Sequence, residues 1–389
     1  MPNGWKLKKL EELTLEKLSY GANSPSCEIK DGGTRYIRIT DIDDSGNLNS
    51  DTVGIESESY DEYVLKHNDF LFARSGNTVG KTFLYEKDKH PKSAYAGYLI
   101  RYRADETKLL PQYLKQYCFS SRYNFWVKSQ IRAGAQPNIN AKEYGSLELP
   151  LPSIQEQRKI AKILSTWDKA ISNTKRLIDN SKQQKKALMQ QLLTGKKRLL
   201  DDSGKPFEGE WEQLHLSDIA KIKKGKALSS KDLEVGEYPV IAGGKTSPYK
   251  HSSYTHEKII TVSASGAYAG FVAYHKQKIW ASDCSVIEEK QCSDIQFIYQ
   301  YLLLNQAKIY SFQSGGAQPH IYPKDIEVLK VNLPEIKEQQ KIAFVLSNAD
   351  KEIKLLEQQL ADLKQEKKAL MQQLLTGKRR VKLDDKEIA

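Results

Sequence analysis

The sequence has few cysteines and no long apolar segment. Its 389 residues include only four cysteines, and none of them forms a C-x-x-C pair. We therefore expect a reduced, cytoplasmic protein without structural zinc. No run of 18 apolar residues occurs, and residues 1–6 show no apolar segment of the signal-peptide kind, so we expect no membrane association.

A complete nucleotide-binding loop is also missing. Residues 73–82, ARSGNTVGKT, end in Gly-Lys-Thr, but the motif G-x-x-x-x-G-K-[ST] requires a glycine where Ser75 stands. The residues that follow, 83–85, are aromatic and strand-like, whereas the motif requires a helix. We therefore predict no nucleotide site here, and instead an S-G-x-x-x-G turn between the strand-like runs 69–74 and 81–85.

The positive charge is concentrated in one segment. Formal net charge is +11, and residues 151–198 carry 12 basic and 3 acidic side chains, an excess of 9. The segments on either side are close to neutral. A basic stripe of this kind suits a polyanion such as DNA. A solvated helix face is the alternative interpretation.

The chain contains an internal repeat. Residues 183–198 (QQKKALMQQLLTGKKR) and 365–380 (QEKKALMQQLLTGKRR) are identical at 14 of 16 positions, at an offset of 182. The same offset aligns Gly-Ala-Gln-Pro at 134–137 with the same letters at 316–319. The S-G-x-x-x-G pattern also recurs, at 265–270. The sequence thus indicates two copies of one structural unit.

Each copy ends in a long helical pattern. Ser153 and Glu156 form a capping box just after a proline, and Gly195 and Gly377 mark the two helix ends. Apolar residues recur in steps of four and three between these signals, which predicts two coiled-coil helices of about 40 residues and about 60 Å. We expect them to pair antiparallel within one chain, with homodimerisation as the alternative. The seam residues that we single out for helix pairing or partner binding are Ile160, Leu164, Trp167, Ile171, Ile342, Leu346, Ile353 and Leu356.

With these motifs the sequence resembles the specificity subunits of type I restriction–modification systems. The resemblance rests on LPLPSIQEQRKIAKIL and VNLPEIKEQQKIAFVL, each followed by KKALMQQLLTG, and covers essentially the whole chain. It implies a mixed α/β (α+β) fold in which two globular target-recognition domains are joined by two long antiparallel helices with pseudo-twofold symmetry. The expected segments are recognition domains 1–150 and 199–332, helical spacers 151–198 and 333–380, and a tail 381–389.

The resemblance also implies a division of labour among subunits. The chain would bind double-stranded DNA with a bipartite, asymmetric target, two methyltransferase subunits and the restriction subunits. S-adenosylmethionine, ATP and Mg would bind to those partners and no cofactor to this chain. The sequence agrees with a non-catalytic role, because it has no N/D-P-P-Y/F, G-x-G-x-x-G or H-E-x-x-H motif, and its seven histidines look like ordinary surface residues. A self-contained enzyme and a coiled-coil adaptor for a ligand other than nucleic acid are the alternatives.

Candidate DNA-reading residues come from polar side chains in three segments of each half, because base edges are read by hydrogen-bonding side chains. Those of the first half are Arg35, Arg38, Thr40, Arg74, Ser75, Asn77, Lys81, Arg132, Gln136 and Asn138; those of the second are Lys245, Thr246, Ser263, Ser265, Tyr268, Gln318 and His320. We expect Arg35, Arg38 and Thr40 to share one strand face, although the two arginines would also fit a purely structural pairing with Asp41 or Asp43. Gln136 and Gln318 have an alternative role in bracing the junction between domain and helix.

Overall fold

The computed structural model describes residues 2–29, 32–56, 60–131, 136–245 and 249–383. Its strands are β1 Lys6–Lys9, β2 Ser19–Tyr20, β3 Ser26–Cys27, β4 Arg35–Ile37, β5 Gly54–Ile55, β6 Phe70–Ala73, β7 Thr82–Leu84, β8 Ser93–Tyr95, β9 Leu99–Tyr102, β10 Glu148–Leu151, β11 Glu212–His215, β12 Ala220–Lys224, β13 Tyr238–Ile241, β14 Lys250–His251, β15 Ile259–Ser263, β16 Val272–His275, β17 Trp280–Ala281, β18 Cys284–Glu289 and β19 Lys330–Leu333. Its α-helices are α1 Pro111–Cys118, α2 Ser121–Gln130, α3 Ala141–Gly145, α4 Ile154–Leu192, α5 Leu216–Ile219, α6 Ile295–Leu304, α7 Gln306–Tyr310, α8 Pro323–Glu327 and α9 Ile336–Leu374.

The chain divides into two compact units. The first contains Met1–Asn173 and Leu360–Ala389, and the second contains Thr174–Gln359. Both divisions fall inside a long helix, so each unit holds the first part of one long helix and the last part of the other. Each unit is therefore a globular layer packed on a pair of helix segments.

The globular layer of the first unit consists of three small sheets. An antiparallel sheet has the order β2-β9-β6-β7, and a second sheet has the order β3-β5-β4-β8 with β4 and β8 parallel. Strands β1 and β10 form a separate antiparallel ribbon that leads into α4. Phe70, Phe72 and Tyr102 of the first sheet pack in one buried cluster with Tyr113 and Leu114 of α1. Alternating aromatic and aliphatic residues in the strands thus supply the core face.

The second unit repeats this plan. Its four-stranded antiparallel sheet has the order β12-β18-β15-β16, the parallel pair is β13 and β17, and the ribbon is β11 with β19. Ile260, Val262 and Ile287 of the larger sheet lie in one buried cluster with Phe297 and Ile298 of α6. The predicted mixed α/β fold with two repeated domains is confirmed.

The long helices begin and end where the sequence predicts. The backbone N–H of Glu156 donates to Ser153 Oγ at 3.3 Å, which caps the start of α4. Gly195 and Gly377 follow the ends of α4 and α9 with φ values of +71° and +68°, a conformation that favours glycine. Each helix has 39 residues, close to the expected length.

Within each unit the two helix segments pack antiparallel through the predicted seam. In the first unit Ile160 and Leu164 share a buried cluster with Met371 and Leu374. In the second unit the cluster contains the corresponding Ile342 and Leu346, packed with residues from the end of α4. All eight seam residues that we singled out are buried or half-buried in this single chain. The seam therefore serves helix pairing inside the chain and is not an open surface for a second copy.

Candidate nucleic-acid interface

A hairpin loop and a neighbouring extended segment meet at the same place in each domain. In the first, β6 and β7 are joined by a tight turn at Gly76–Thr78. The N–H of Gly76 donates to the carbonyl of Pro137 at 2.9 Å, and the N–H of Ile139 donates to the carbonyl of Arg74 at 2.8 Å. In this arrangement, which we call the loop frame, the backbones of residues 74–78 and 136–140 hold one another.

The second domain has the same loop frame. The N–H of Gly266 donates to the carbonyl of Pro319 at 3.0 Å, and the N–H of Ile321 donates to the carbonyl of Ala264 at 2.9 Å. This frame joins residues 264–268 to residues 318–322. The two repeated motifs in the sequence are thus the two sides of one backbone structure.

The glycines of the S-G-x-x-x-G pattern serve this turn. Gly76 and Gly266 adopt φ values of +66° and +77°, which side chains other than glycine rarely tolerate. At Gly80, where φ is +86°, a Cβ would also lie 2.7 Å from Cγ1 of Val127. The loop is therefore a compact hairpin turn, and the prediction that it lacks the strand–loop–helix structure of a phosphate site is confirmed.

A third segment, at the end of an edge strand, completes each site. Tyr20 ends β2 and Lys224 ends β12, and each is followed by a glycine, Gly21 or Gly225, at which a Cβ would collide with a backbone carbonyl of another segment. We call the outward side chains of these three segments, together with Lys245 beside Tyr268 in the second domain, the recognition face of each domain. Tyr20, Lys224 and Tyr322 are not among the residues predicted from the sequence, although the glycine after each strand-end residue was a usable signal of a close backbone approach.

On the first recognition face, Arg74 is the central cation. Its guanidinium lies 4.6 Å above the ring centre of Tyr20, and its Nε donates to Oδ1 of Asn138 at 3.4 Å. No carboxylate among the described residues lies within ion-pair distance of Arg74. Asn77 and Asn138 are exposed beside it. A half-exposed arginine that is stacked on an aromatic ring and not neutralised is well placed to receive a new hydrogen-bonding partner.

Among the described residues, the other predicted cations of the first domain are engaged in internal interactions. Arg35 is buried, and its Nη2 donates to the backbone carbonyls of Asn49 and Asp51 at 2.9 and 3.1 Å. Burial lowers the pKa of Arg35, against the opposing effect of the Asp41 and Asp51 charges. Arg38 donates to Asp41 at 2.7 Å and to Asp51 at 2.7 Å, and its hydrogen bond to Asp41 raises its pKa.

The expected common strand face for Arg35, Arg38 and Thr40 is wrong. Strand β4 ends at Ile37, and Ile39–Asp41 form a single 3-10 turn. The carboxylate of Asp41 accepts the backbone N–H of Arg38 at 2.8 Å, which stabilises this turn and ends the strand. Thr40 is exposed on the turn.

Lys81 also has an internal partner. Its Nζ lies 2.8 Å from Oδ1 of Asp44 and donates to the carbonyl of Ile42 at 3.2 Å. The hydrogen bond from Lys81 lowers the pKa of Asp44. Lys81 and Asn77 line a cavity of about 320 Å³ that also includes Asp43. The carboxylates of Asp43 and Asp44 thus line the same cavity as Asn77 and Lys81, the two candidate DNA-reading residues in it.

On the second recognition face, lysines and aromatic rings alternate. Lys224 Nζ lies 5.6 Å above the ring centre of Tyr322, and the rings of His320 and Tyr322 lie 6.3 Å apart at an interplanar angle of 15°. Lys245 Nζ lies 5.2 Å above the ring of Tyr268. Within the described part of the chain, neither lysine has a carboxylate at ion-pair distance. This face therefore offers free positive charge beside exposed π surfaces.

The two predicted serines of the second domain differ in exposure, because Ser263 lies in β15 and Ser265 lies in the loop of the frame. Ser263 is buried at the end of β15, and its Oγ has no hydrogen-bond partner among the described residues. Ser265 Oγ donates to the carboxylate of Asp283. Arg132 and Thr246 lie outside the described residues.

The junction between each domain and its helix is braced by residues other than Gln136 and Gln318, which are both exposed. Gln157 Nε2 donates to the carbonyls of Lys108 and Pro152 at 2.9 and 3.0 Å, and its Oε1 accepts from the N–H of Leu110 at 2.8 Å. The second domain has the same arrangement, with Gln339 bonded to Cys292, Pro334 and Asp294. The bracing role that the sequence suggested for Gln136 and Gln318 therefore belongs to Gln157 and Gln339, which occupy equivalent positions near the starts of α4 and α9.

The arginines that follow the long helices also bind within the chain. In the second unit Arg198 Nε and Nη2 donate to the two carboxylate oxygens of Glu338 at 2.6 and 2.7 Å. In the first unit Arg380 Nε donates to Glu156 at 2.6 Å, and its Nη1 donates to the carbonyl of Asn3 at 2.7 Å. These two arginines thus tie the end of each helix to the start of the other.

Five of the seven histidines are buried or half-buried and are not the exposed surface residues that we expected. His251 is buried with its ring 4.2 Å from that of Trp280. His275 is half-buried at the end of β16, and burial lowers its pKa to about 4. No group of three or more His, Cys, Asp or Glu side chains in the described ranges is arranged to hold a metal ion. Among the described helices, none is long and apolar enough to cross a bilayer.

The chain thus has two similar domains, and each leads into a long helix. Because their recognition faces differ, the fold defines a protein with two distinct recognition domains. Residues 2–181 and 208–365 match the family described as the type I restriction modification DNA specificity domain, and the chain belongs to this family. It is therefore a specificity subunit with two recognition domains, a non-catalytic component of a type I restriction–modification system.

Individual relatives agree with this assignment. A putative type I restriction enzyme MjaX specificity subunit of Methanocaldococcus jannaschii is 29% identical, over 98% of this chain and 95% of that protein. The MjaVIII specificity subunit of the same organism is 26% identical, over 82% and 81% of the two chains. The crystal structure of a type I S subunit from M. genitalium superposes with a TM-score of 0.68 at 19% identity, covering 96% and 97% of the two chains. At that identity the structural likeness supports the fold alone.

Proposed function

We propose that each domain reads one block of a bipartite double-stranded DNA target and that the two long helices set the distance between the blocks. Residues 1–150 and 199–332 are the proposed readers, 151–198 and 333–380 the proposed spacers, and 381–389 a tail. The recognition faces carry this proposal. They stand on the same loop frame but present different groups, as two unlike half-sites require.

On the first face we propose Arg74 as the main base reader, with Asn77 and Asn138 beside it. An arginine can donate two hydrogen bonds to O6 and N7 of guanine, and an asparagine can pair with adenine in the same way. Tyr20 supports the guanidinium plane from below. We assign Arg35, Arg38 and Lys81 to support of the domain, because their donors already have internal acceptors.

On the second face we propose that Lys224, Lys245 and His320 supply the polar contacts and that Tyr268 and Tyr322 supply aromatic surface. Both tyrosines are substantially exposed, at 43% and 40%. Lysine acts as a flexible point charge, whereas arginine presents a planar fork. We therefore expect this half-site to depend more on backbone phosphates and DNA shape than the first does.

We further propose that the chain works in the cytoplasm with two methyltransferase subunits and with restriction subunits. S-adenosylmethionine, ATP and Mg would be bound by those partners. A second solved structure with the same fold, at a TM-score of 0.56 and 17% identity, concerns complex assembly of the type I system. This chain supplies no methylation or ATP-binding motif of its own.

Adenine methylation across a genome tests the proposal. Cells that express the chain with its methyltransferase partner are compared with cells that lack only this chain. We expect a two-part motif that appears only when the chain is present. In parallel, binding of the purified complex to that motif should fall steeply with salt, because phosphate neutralisation releases counterions. Methylation that is the same without the chain, or binding that is insensitive to salt, contradicts the proposal.

The proposed role of the two long helices as spacers can be tested by lengthening both helices. Seven residues inserted after Arg176 and seven after Gln358 would add one heptad to each helix and leave the junctions at both ends untouched. The added length is about 10 Å, or roughly three base pairs. We expect a longer spacer between unchanged half-sites. A spacer of the original length in a folded variant contradicts the role of the helices as spacers.

A further inference from the structure

Two lysines lie in the largely apolar seam between the long helices, which also contains Thr174 and Ser181. Lys185 of α4 and Lys367 of α9 have side chains that are each only 11% exposed. In the second unit Lys185 Nζ lies 2.6 Å from Oδ1 of Asp350, and in the first unit Lys367 Nζ lies 2.6 Å from Oδ1 of Asp168. Each lysine is therefore paired across the helix interface with a carboxylate on the other helix.

A buried glutamine from the globular layer completes each pair. Gln116 Nε2 of α1 donates to Oδ2 of Asp168, and Gln300 Nε2 of α6 donates to Oδ2 of Asp350, both at 2.8 Å. We call each lysine–aspartate–glutamine set a lysine lock. One lock thus connects both long helices and the recognition domain of its unit.

The locks carry an energetic cost. Burying each lysine ammonium removes it from water, whereas the aspartates, at 44% and 42% exposed, remain partly solvated. In addition, the Oε1 atoms of Gln116 and Gln300 are buried and have no hydrogen-bond partner in the described part of the chain. A buried unsatisfied acceptor costs about 1–3 kcal/mol. Stability alone therefore does not account for two copies of this arrangement.

The locks distinguish one helix register from its neighbours. A slip of one heptad would move a helix by about 10 Å along its partner. Asp168 and Asp350 would then lie opposite apolar seam residues and lose their counter-charges. A slip in one direction would, however, bring the carboxylate of Glu357 opposite Lys185. Both locks belong to one antiparallel register, because Asp168 and Lys185 are separated by 17 residues, as are Asp350 and Lys367. A single polar seam residue is a known means of fixing coiled-coil register.

We propose that Lys185 and Lys367, with Asp168 and Asp350, are positioning residues that fix helix register and thereby the spacer length of the DNA target. This inference rests on the proposed function, in which the helices set the distance between half-sites. In this inference the four side chains determine that distance by fixing the helix register. The recognition faces determine the half-site sequences independently of these residues.

The test replaces both lysines by methionine in the full chain, Lys185→Met with Lys367→Met, assembled with the methyltransferase subunit. The complex is selected on a DNA pool in which the two half-sites are fixed and the spacer length varies. We expect the preference for the best spacer over the next to fall about tenfold, the effect of losing roughly 1.4 kcal/mol of discrimination. Thermal stability should fall only modestly, because the two aspartates left without a lysine keep 42% and 44% of their side-chain surface exposed to solvent.

Two further variants make the outcome specific. Lys182→Met removes an exposed ion pair with Glu357 between the same helices, whose side chains are 53% and 50% exposed, and should leave the spacer preference unchanged. Exchanging the charges at both locks, Lys to Asp and Asp to Lys, should restore the narrow preference. An unchanged spacer profile in a folded methionine variant overturns the inference, as does a variant that unfolds, because the locks would then act as stabilisers. Failure of the unsubstituted complex to select any bipartite DNA would instead contradict the proposed function.

Discussion

The two domains are most alike where backbone meets backbone and least alike where side chains face outward. Gly76 and Gly266 make the same hydrogen bond to a proline carbonyl, at 2.9 and 3.0 Å. Beside them, Arg74 in the first domain corresponds to Ala264 in the second, and Tyr20 corresponds to Lys224. The cation–aromatic pair of each face is therefore assembled from different segments of the same frame. A rigid frame of this kind allows the specificity to change by substitution of single side chains.

The two faces also differ in how much of their positive charge is free. Residues 1–150 carry 21 basic and 20 acidic side chains, and residues 199–332 carry 15 and 16, so net charge does not separate them. The ion pairs distinguish the two faces, because Arg38 and Lys81 are each paired with a carboxylate within the first domain. Lys224 and Lys245 stand over aromatic rings instead. Counting charges in the sequence therefore overestimates the number of free cations in the first domain.

The largest expected effect is a difference in stability between two corresponding ion pairs, Arg198–Glu338 and Arg380–Glu156. Each pair joins the end of one long helix to the start of the other. Arg198→Ala leaves the fully buried carboxylate of Glu338 without its bidentate partner, a loss that typically costs roughly 3–5 kcal/mol. Arg380→Ala should cost less, because Arg380 is 44% exposed and contacts Glu156 through a single nitrogen. Denaturant unfolding followed by hydrogen exchange in each unit measures both. Equal losses in the two variants would contradict this ranking.

The next effect concerns the first half-site alone. Arg74→Ala should weaken binding to that half-site by about 1–3 kcal/mol and relax its base preference, while the second half-site keeps its preference. Competition binding with DNA altered in one block at a time measures this. Lys89→Ala, at an exposed lysine whose partner is Glu86, is the matched control and should have no effect. Simultaneous loss of preference at both half-sites would argue against separate readers.

A smaller effect is expected on the second face. Lys224→Ala should weaken binding to the second block, and the salt dependence tells which contact is lost. If Lys224 binds a phosphate, the salt slope decreases by about one and base preference is kept. If it reads a base, the slope changes little and the preference at one position relaxes. The exposed Lys276 provides the control substitution. Unchanged binding in Lys224→Ala would remove this residue from the interface.

Much of the architecture could be predicted from the sequence because it depends on local signals. The capping box at Ser153 and the glycines after α4 and α9 are each set by neighbouring residues. The turn at Gly76 was predictable for the same reason. The repeat is visible when the two halves of the sequence are compared. The seam lysines were visible in the sequence, but not their partners, because Asp168 lies off the apolar seam and Gln116 lies on a separate helix.

The recognition faces were only partly predictable, because long-range pairing decides which cations are free. Nothing local to Arg35 indicates that it points at the carbonyls of Asn49 and Asp51. Similarly, the approach of Lys224 to Tyr322 joins residues that are about 100 positions apart. The assignment of Gln136 to the junction was inferred from the repeat alone. Repetition shows that a segment has the same role in both halves, but it does not show which role.

The smallest expected effect is a dependence of the second domain's stability on pH. Burial lowers the pKa of His275 to about 4, and Thr261 Oγ1 lies 2.8 Å from its Nε2. The folded domain therefore holds this ring neutral, whereas the unfolded chain protonates it at an ordinary pKa near 6.5. Stability from this site is complete above about pH 6.5 and is lost progressively as the pH falls towards 4, because the unfolded state then binds the extra proton. Thermal unfolding between pH 7 and pH 5 should show a smaller decline in His275→Gln than in the unsubstituted chain. An identical decline in both would show that other groups govern the acid sensitivity of this domain.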